Sequence, residues 1–186
     1  MNESQRRTLL KVAKETVEAV VRGERVPKAA SDDPELNEHC GCFVTLKNGD
    51  ELRGCIGQFV SERPLIELIV EMAISSASRD PRFLNYQITA DELEDLDIEI
   101  SVLSPLEKTD EPLSLELGVH GIYIKRGPRG GCFLPQVATE TGWDKEEFLS
   151  YCCSHKAGLP AEAWKDGVTD VYLFTAEVFE AAFNEI

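Results

Sequence analysis

The sequence of 186 residues predicts an α+β protein, built mainly from antiparallel sheets flanked by helices. Three observations carry that prediction. Apolar positions switch between a helical period of about 3.6 residues and a strand period of about two. An Asn-Gly pair, Asn48-Gly49, stands between two strand-like runs and marks a hairpin. The helical segments stand apart instead of alternating with single strands as in a doubly wound sheet.

Residues 3–22 read as a helix, because Leu9, Ala13, Val17, Val20 and Val21 share one stripe while Arg7, Lys11, Lys14 and Glu18 fall elsewhere. Gly23 is placed to stop it. Charged residues with Pro27 and Pro34 make 24–39 a loop with one short turn. Residues 42–47 and 50–55 flank the Asn-Gly pair, whose residues both need positive φ in the favoured hairpin turn. That turn pairs Lys47 with Asp50, Val44 with Arg53 and Cys42 with Cys55. The last is a non-hydrogen-bonded pair with Cα atoms about 4.5 Å apart, close enough for a disulfide and hence for a redox switch.

Ser61 is placed as the N-cap of a helix over 62–79, with Leu65, Leu68, Ile69, Met72, Ala73 and Ala77 on its apolar face; Pro81 stops it. Thr89 with Glu92 has the capping-box spacing of a short helix. Residues 97–103 alternate Ile98, Ile100 and Val102 with Glu99 and Ser101, a half-buried strand ended by Pro105. Residues 119–125 and 131–134 read as strands around the loop 126–130. Asp144 with Glu147 caps a helix reaching about Lys156, closed by Gly158 and Pro160. The tail, 168–179, is strand-like at its core, 171–174.

Charge narrows the function. Against 19 Lys and Arg stand 34 Asp and Glu, a formal charge of −15. Nucleic acid and anionic membrane surfaces are bound by concentrating cations, so neither is an expected partner; a small pocket where a few arginines meet an anionic ligand remains open. No run approaches the ~18 apolar residues of a membrane span, and residues 65–74 carry Glu67 and Glu71. Residues 1–7 are polar without an apolar signal core, so the expected location is cytoplasmic, with reduced thiols. The six cysteines, at 40, 42, 55, 132, 152 and 153, include no C-x-x-C. His39, Cys40 and Cys42 are too closely spaced for a tetrahedral zinc site and lack a second ligand pair downstream, so no metal is expected. Phosphate-loop, dinucleotide, H-E-x-x-H and G-x-S-x-G signatures are absent.

Four segments carry candidate chemistry. Leu52-Arg53-Gly54-Cys55-Ile56-Gly57 sets a thiol between glycines, which permit close approach to the sulfur. Arg53, on the same face of a regular strand, then favours the thiolate. The alternative is a small hydrophobe at a strand end. Ser78-Arg79-Asp80-Pro81-Arg82-Phe83 is either a local ion-pair network or an anion clamp, since guanidinium groups hold carboxylate or phosphate through paired hydrogen bonds. His120, in Gly118-Val119-His120-Gly121, is either a general base and thiol partner or a satisfied structural group. Cys152 and Cys153 belong in a helical core beside Phe148 and Leu149; His155 lies one turn on, near Cys152 or in solvent.

Taken together, these segments resemble the AMMECR-type domain family over nearly the whole chain. Phe43-Val44-Thr45-Leu46, the glycine-cysteine motif, the Ser78-to-Phe83 motif, residues 98–105, Gly118-Val119-His120-Gly121, Leu134-Pro135-Gln136-Val137-Ala138 and Gly142-Trp143 carry the resemblance. It implies a two-lobed fold, with a larger discontinuous lobe (1–58 and 104–186) and a smaller inserted one (59–103). It also implies association with a Memo-type protein and a radical-SAM protein, and it leaves any cofactor unknown. An inter-lobe cleft holding the motif cysteine is the implied active site, with Cys55 and His120 as catalytic candidates and Arg53, Arg79, Asp80 and Arg82 as substrate-binding ones. Two functions follow as expectations: an enzyme or enzyme component using Cys55 on an anionic substrate, or a non-catalytic adaptor for a protein or small ligand.

Overall fold

The computed structural model describes all 186 residues, which form two compact units: Met1–Val102 with Glu177–Ile186, and Leu103–Ala176. The inserted segment is thus 103–176, and residues 59–102 form no separate lobe. The helix within 59–102 has an apolar face that is buried only by joining the core of the first unit.

In that unit, α1 (Glu3–Arg22) begins in a capping box: the Asn2 side chain accepts from the Gln5 amide, and the Gln5 side chain accepts from the Asn2 amide. It ends at Gly23, whose φ of 67° suits glycine. Strands β1 (Cys42–Asn48) and β2 (Glu51–Gln58) form the expected hairpin. Helix α2 (Leu65–Ser78) follows. Its N-cap is Pro64, and the Leu65 amide donates to the Glu38 carbonyl at 2.9 Å. Ser61 does not cap it; its hydroxyl accepts from the Arg63 amide in a turn of its own. After the Thr89–Glu92 capping box comes a six-residue 3₁₀ turn, and then β3 (Leu96–Leu103). The final strand of the chain, Ala176–Ala182, completes a four-stranded sheet in the order β2, β1, β3, final strand. Strand β1 is antiparallel to both neighbours.

One face of this sheet presents Val44, Leu46, Ile98 and Ile100 to Leu9, Ala13 and Val17 of α1 and to Leu68, Ile69 and Met72 of α2, all buried. Each large side chain so buried contributes about 1.5–3 kcal/mol. Phe183 closes the core, with Lys14 donating to its carbonyl at 2.6 Å.

The hairpin register differs from the one the Asn-Gly pair predicts. Asn48 pairs with Glu51 and Lys47 with Leu52, so the turn residues are Gly49 and Asp50, and of these only Gly49 has positive φ. The register then shifts: Leu46 faces Gly54, Thr45 faces Cys55, Val44 faces Ile56 and Cys42 faces Gln58. The unpaired Arg53 is a β-bulge. The reason is burial, because directly opposed residues share a face. The expected pairing sets Arg53 opposite Val44, on the core side; the observed one matches core residues with Ile56 and a glycine. Cys42 and Cys55 are therefore not partners. They lie on opposite faces, roughly 10 Å apart along the strand direction.

In the second unit, β4 (Glu107–Thr109), β5 (Gly121–Arg126), β6 (Arg129–Phe133) and β7 (Asp170–Phe174) form an antiparallel sheet in the order β4, β7, β5, β6. The final strand, β8, is the Ala176–Ala182 segment already described. Gly127 and Pro128 alone join β5 to β6, a tighter turn than the expected five-residue loop. Helix α3 (Pro135–Thr141), unforeseen in the sequence, starts on a proline and stops at Gly142, with φ 69°. Helix α4 (Lys145–Tyr151) starts at the Asp144–Glu147 capping box and passes into a π turn over Cys152–Lys156. Cys152 and Cys153 are fully buried with Phe148, Leu149, Ile122 and Ile124. No helix is long and apolar enough to cross a membrane.

Candidate functional site

Strand β2 lies at an edge of its sheet, so one side of its backbone has no neighbouring strand. At Cys55 that side is filled by side chains. The Cys55 amide donates to Asp80 Oδ2 at 3.0 Å, and Arg82 Nη2 donates to the Cys55 carbonyl at 3.0 Å. Next to it, the Ser76 hydroxyl accepts from the Ile56 amide at 2.9 Å and donates to the Val44 carbonyl at 2.7 Å. The Ser78-to-Phe83 motif thus does for Cys55 what a further strand would do, and it blocks edge pairing at that point.

Asp80 is the centre of this grip. Its side chain is 1% exposed and accepts four hydrogen bonds: the Cys55 amide and Arg82 Nη2 on Oδ2, the Arg82 amide and Nε on Oδ1. The Arg82 hydrogen bond, aided by the two amides, holds the carboxyl at about 2, down from an ordinary 3.8. Arg82 is in turn raised, first by Asp80 and further by the Cys55 thiol beside it, although partial burial opposes the shift. The Arg82 side chain is 53% exposed, so one edge of its guanidinium stays open to solvent.

The thiol itself is half-buried. Its sulfur accepts a hydrogen bond from the Thr45 hydroxyl at 3.3 Å, on the sheet face away from α1 and α2. The flanking glycines serve packing more than exposure of the sulfur. A Cβ on Gly54 would stand 2.1 Å from the Ser76 carbonyl oxygen, and one on Gly57 would stand 2.3 Å from the Phe43 ring.

The remaining candidates are distributed differently from the expectation. The bulge takes Arg53 out of strand alternation: its guanidinium pairs with Glu92 at 2.9 Å and lines a narrow crevice with Ser76, Asp80 and Tyr86. Arg53 therefore does not share a face with Cys55, and its Nε is buried without an acceptor. Glu92, despite the cost of burial, is held below its ordinary value by Thr89 and Arg53. Arg79 caps the C-terminus of α2, is exposed and forms no ion pair. His120 belongs to the second unit. There its Nδ1 accepts from the Glu116 amide at 2.9 Å, which leaves the proton of the neutral ring on Nε2. In that tautomer Nε2 is a donor, and the acceptor nitrogen is already engaged by the Glu116 amide. His155 is exposed and stacks against Tyr151, with ring centroids 5.3 Å apart. Burial pushes the Cys42 thiol strongly up, with Cys40 adding to the effect; Cys40 itself is raised to about 11, by burial and then by Glu38. Sequence reasoning missed Thr45 and Ser76 as partners of the site, since both act through a register that the sequence pattern misplaces.

Fold and site define an α+β protein of two sheet-and-helix units, with a motif cysteine on an edge strand gripped by an Asp-Pro-Arg turn. The chain belongs to the AMMECR1 family, whose model matches residues 10–179. A protein of Methanothermobacter thermautotrophicus is 42% identical over 186 residues, covering 96% of this chain and 95% of its own. Protein TK0174 of Thermococcus kodakarensis is also 42% identical, covering 94% of this chain and 89% of its own. The crystal structure of the uncharacterized protein PH0010 from Pyrococcus horikoshii is similar at a TM-score of 0.84 and 39% identity, covering 95% of this chain and 91% of that one. The names of these relatives state no activity.

Proposed function

We propose that the protein is an enzyme or enzyme component that uses the Cys55 sulfur on a substrate bearing a negative charge. The observation that carries this reading is the grip on Cys55: Asp80 and Arg82 hold both backbone polar groups of the residue, while the same Arg82 keeps a solvent-facing edge beside the thiol. A fixed sulfur beside a fixed cation suits nucleophilic attack on an electrophile whose anionic group pairs with the guanidinium. Asp80, with its carboxylate fully occupied, is a positioning residue. Arg82 and the exposed Arg79 are the substrate-facing cations, and Arg53 is committed to Glu92.

The test compares alkylation of Cys55 by iodoacetate, which is anionic, and by iodoacetamide, which is neutral, with each cysteine followed by peptide mass spectrometry. Cys55 should react before the buried Cys42, Cys152 and Cys153, and Arg82→Gln should slow the iodoacetate reaction selectively. A native Cys55 that reacts only after unfolding, or an unchanged reagent ratio in both Arg82→Gln and Arg79→Gln, refutes the reading.

One observation favours the second reading, a non-catalytic docking module. Leu84 and Tyr86, in the turn that follows Arg82, are 53% and 71% exposed. Tyrosine and arginine together supply much of the energy of protein interfaces. Cys55→Ser separates the two readings: it preserves a docking function and abolishes a thiol-dependent one.

A further inference from the structure

We infer that Thr45 is a positioning residue for the Cys55 sulfur, fixing its rotamer and donating the hydrogen bond that stabilises it as negative charge develops. This rests on the reading of Cys55 as the reacting group. Thr45 is buried at 7% exposure and lies directly opposite Cys55 on the neighbouring strand, its hydroxyl 3.3 Å from the sulfur. The pair exists because of the bulge at Arg53. With the observed turn and no bulge, Thr45 would face Gly54 and Cys55 would face Val44 on the core side; with the bulge, the sulfur meets a hydroxyl.

The chemistry makes this contact informative. A neutral thiol is a weak acceptor, so a buried hydroxyl that spends its one hydrogen there makes a poor bond, whereas a sulfur carrying charge makes it a good one. Threonine is stiff about χ1, which holds the hydroxyl in place without a further partner. The charged groups around the pair are Arg82 with Asp80 at the strand edge, and Lys47 with its ion-pair partner Glu99 along the same face at 2.8 Å. Glu99 stands opposite Thr45 on β3 but is committed to Lys47. Arg82 acts on the thiol from the strand edge, and the Thr45 hydroxyl is the donor that reaches the sulfur across the ladder, at 3.3 Å.

The experiment measures the rate of Cys55 alkylation by iodoacetamide against pH in the wild-type protein, Thr45→Val and Thr45→Ser. Removing a hydrogen bond to a charged group should slow the reaction about tenfold at neutral pH and move the profile to higher pH. Thr45→Ser, which keeps the hydroxyl, should retain the wild-type profile. Should the valine variant fail to fold, Thr45→Ala, which removes the hydroxyl and adds no volume, takes its place in the same comparison; a wild-type profile in that variant overturns the role of Thr45. If wild-type Cys55 reacts no faster than a peptide thiol, the reading of Cys55 fails and takes this one with it. If it reacts fast but Thr45→Val matches it at every pH, only the role of Thr45 is refuted.

Discussion

Replacing Asp80 with asparagine isolates the grip on β2 and sets a definite size for its effect. The carboxylate accepts four hydrogen bonds, and an amide in its place turns one of the two acceptors into a donor facing donors. The shift from 3.8 to about 2 corresponds to roughly 2 kcal/mol of stabilisation from the charge. Screening at the half-exposed Arg82 trims this to about 1–2 kcal/mol, and a Cys55 amide left unpaired adds about 1 kcal/mol. Asp80→Asn should therefore cost about 2–3 kcal/mol at pH 7. The sign of the pH dependence follows from a folded value below the unfolded one. The charge contribution is fully present above about pH 4 and is lost as pH falls through about 2, with roughly half gone by pH 3. Urea unfolding followed by far-UV circular dichroism, at constant ionic strength and at pH 7 and pH 3, measures the difference between wild type and variant. Both tryptophans, Trp143 and Trp164, lie in the other unit, so their fluorescence reports on that unit and not on the site of the substitution. A difference below about 0.5 kcal/mol at pH 7, or one that does not shrink at pH 3, refutes the assigned role of Asp80.

Two further outcomes are expected. Gly54→Ala drives a methyl group into the Ser76 carbonyl, a backbone atom with nowhere to go, and should cost on the order of 2–3 kcal/mol; Gly23→Ala, with open space but φ 67°, should cost about 1 kcal/mol, and thermal melts rank the two. Diamide oxidation of the native protein should produce no Cys42–Cys55 disulfide by mass spectrometry, since the register places them on opposite faces, too far apart to bridge.

The parts of the fold legible in the sequence are those whose causes are local. The α1 stripe, the stop at Gly23, the two capping boxes at Thr89 and Asp144 and the alternation of β3 all depend on residues within one or two turns of each other. The motifs containing Cys55 and Asp80 were legible as unusual, but their relation was not. Nothing in the spacing of Asp80 from Cys55 says that the carboxylate accepts from that amide across a sheet edge. Arg53 shows the limit most clearly: alternation puts it beside the thiol, and a single extra residue in the ladder puts it beside Glu92 instead.

Amino-acid order alone thus determined the α+β class, most helix boundaries and the identity of the segments that meet at the site. Tertiary structure decided the register of β2, the bulge, and with them the choice of a hydroxyl instead of a thiol as the partner of Cys55. The physical reason is that turn preference is a matter of one or two residues, whereas register is settled by a whole sheet face. Bringing Ile56 opposite Val44 and a glycine opposite Leu46 on the core face outweighs what an Asn-Gly turn prefers.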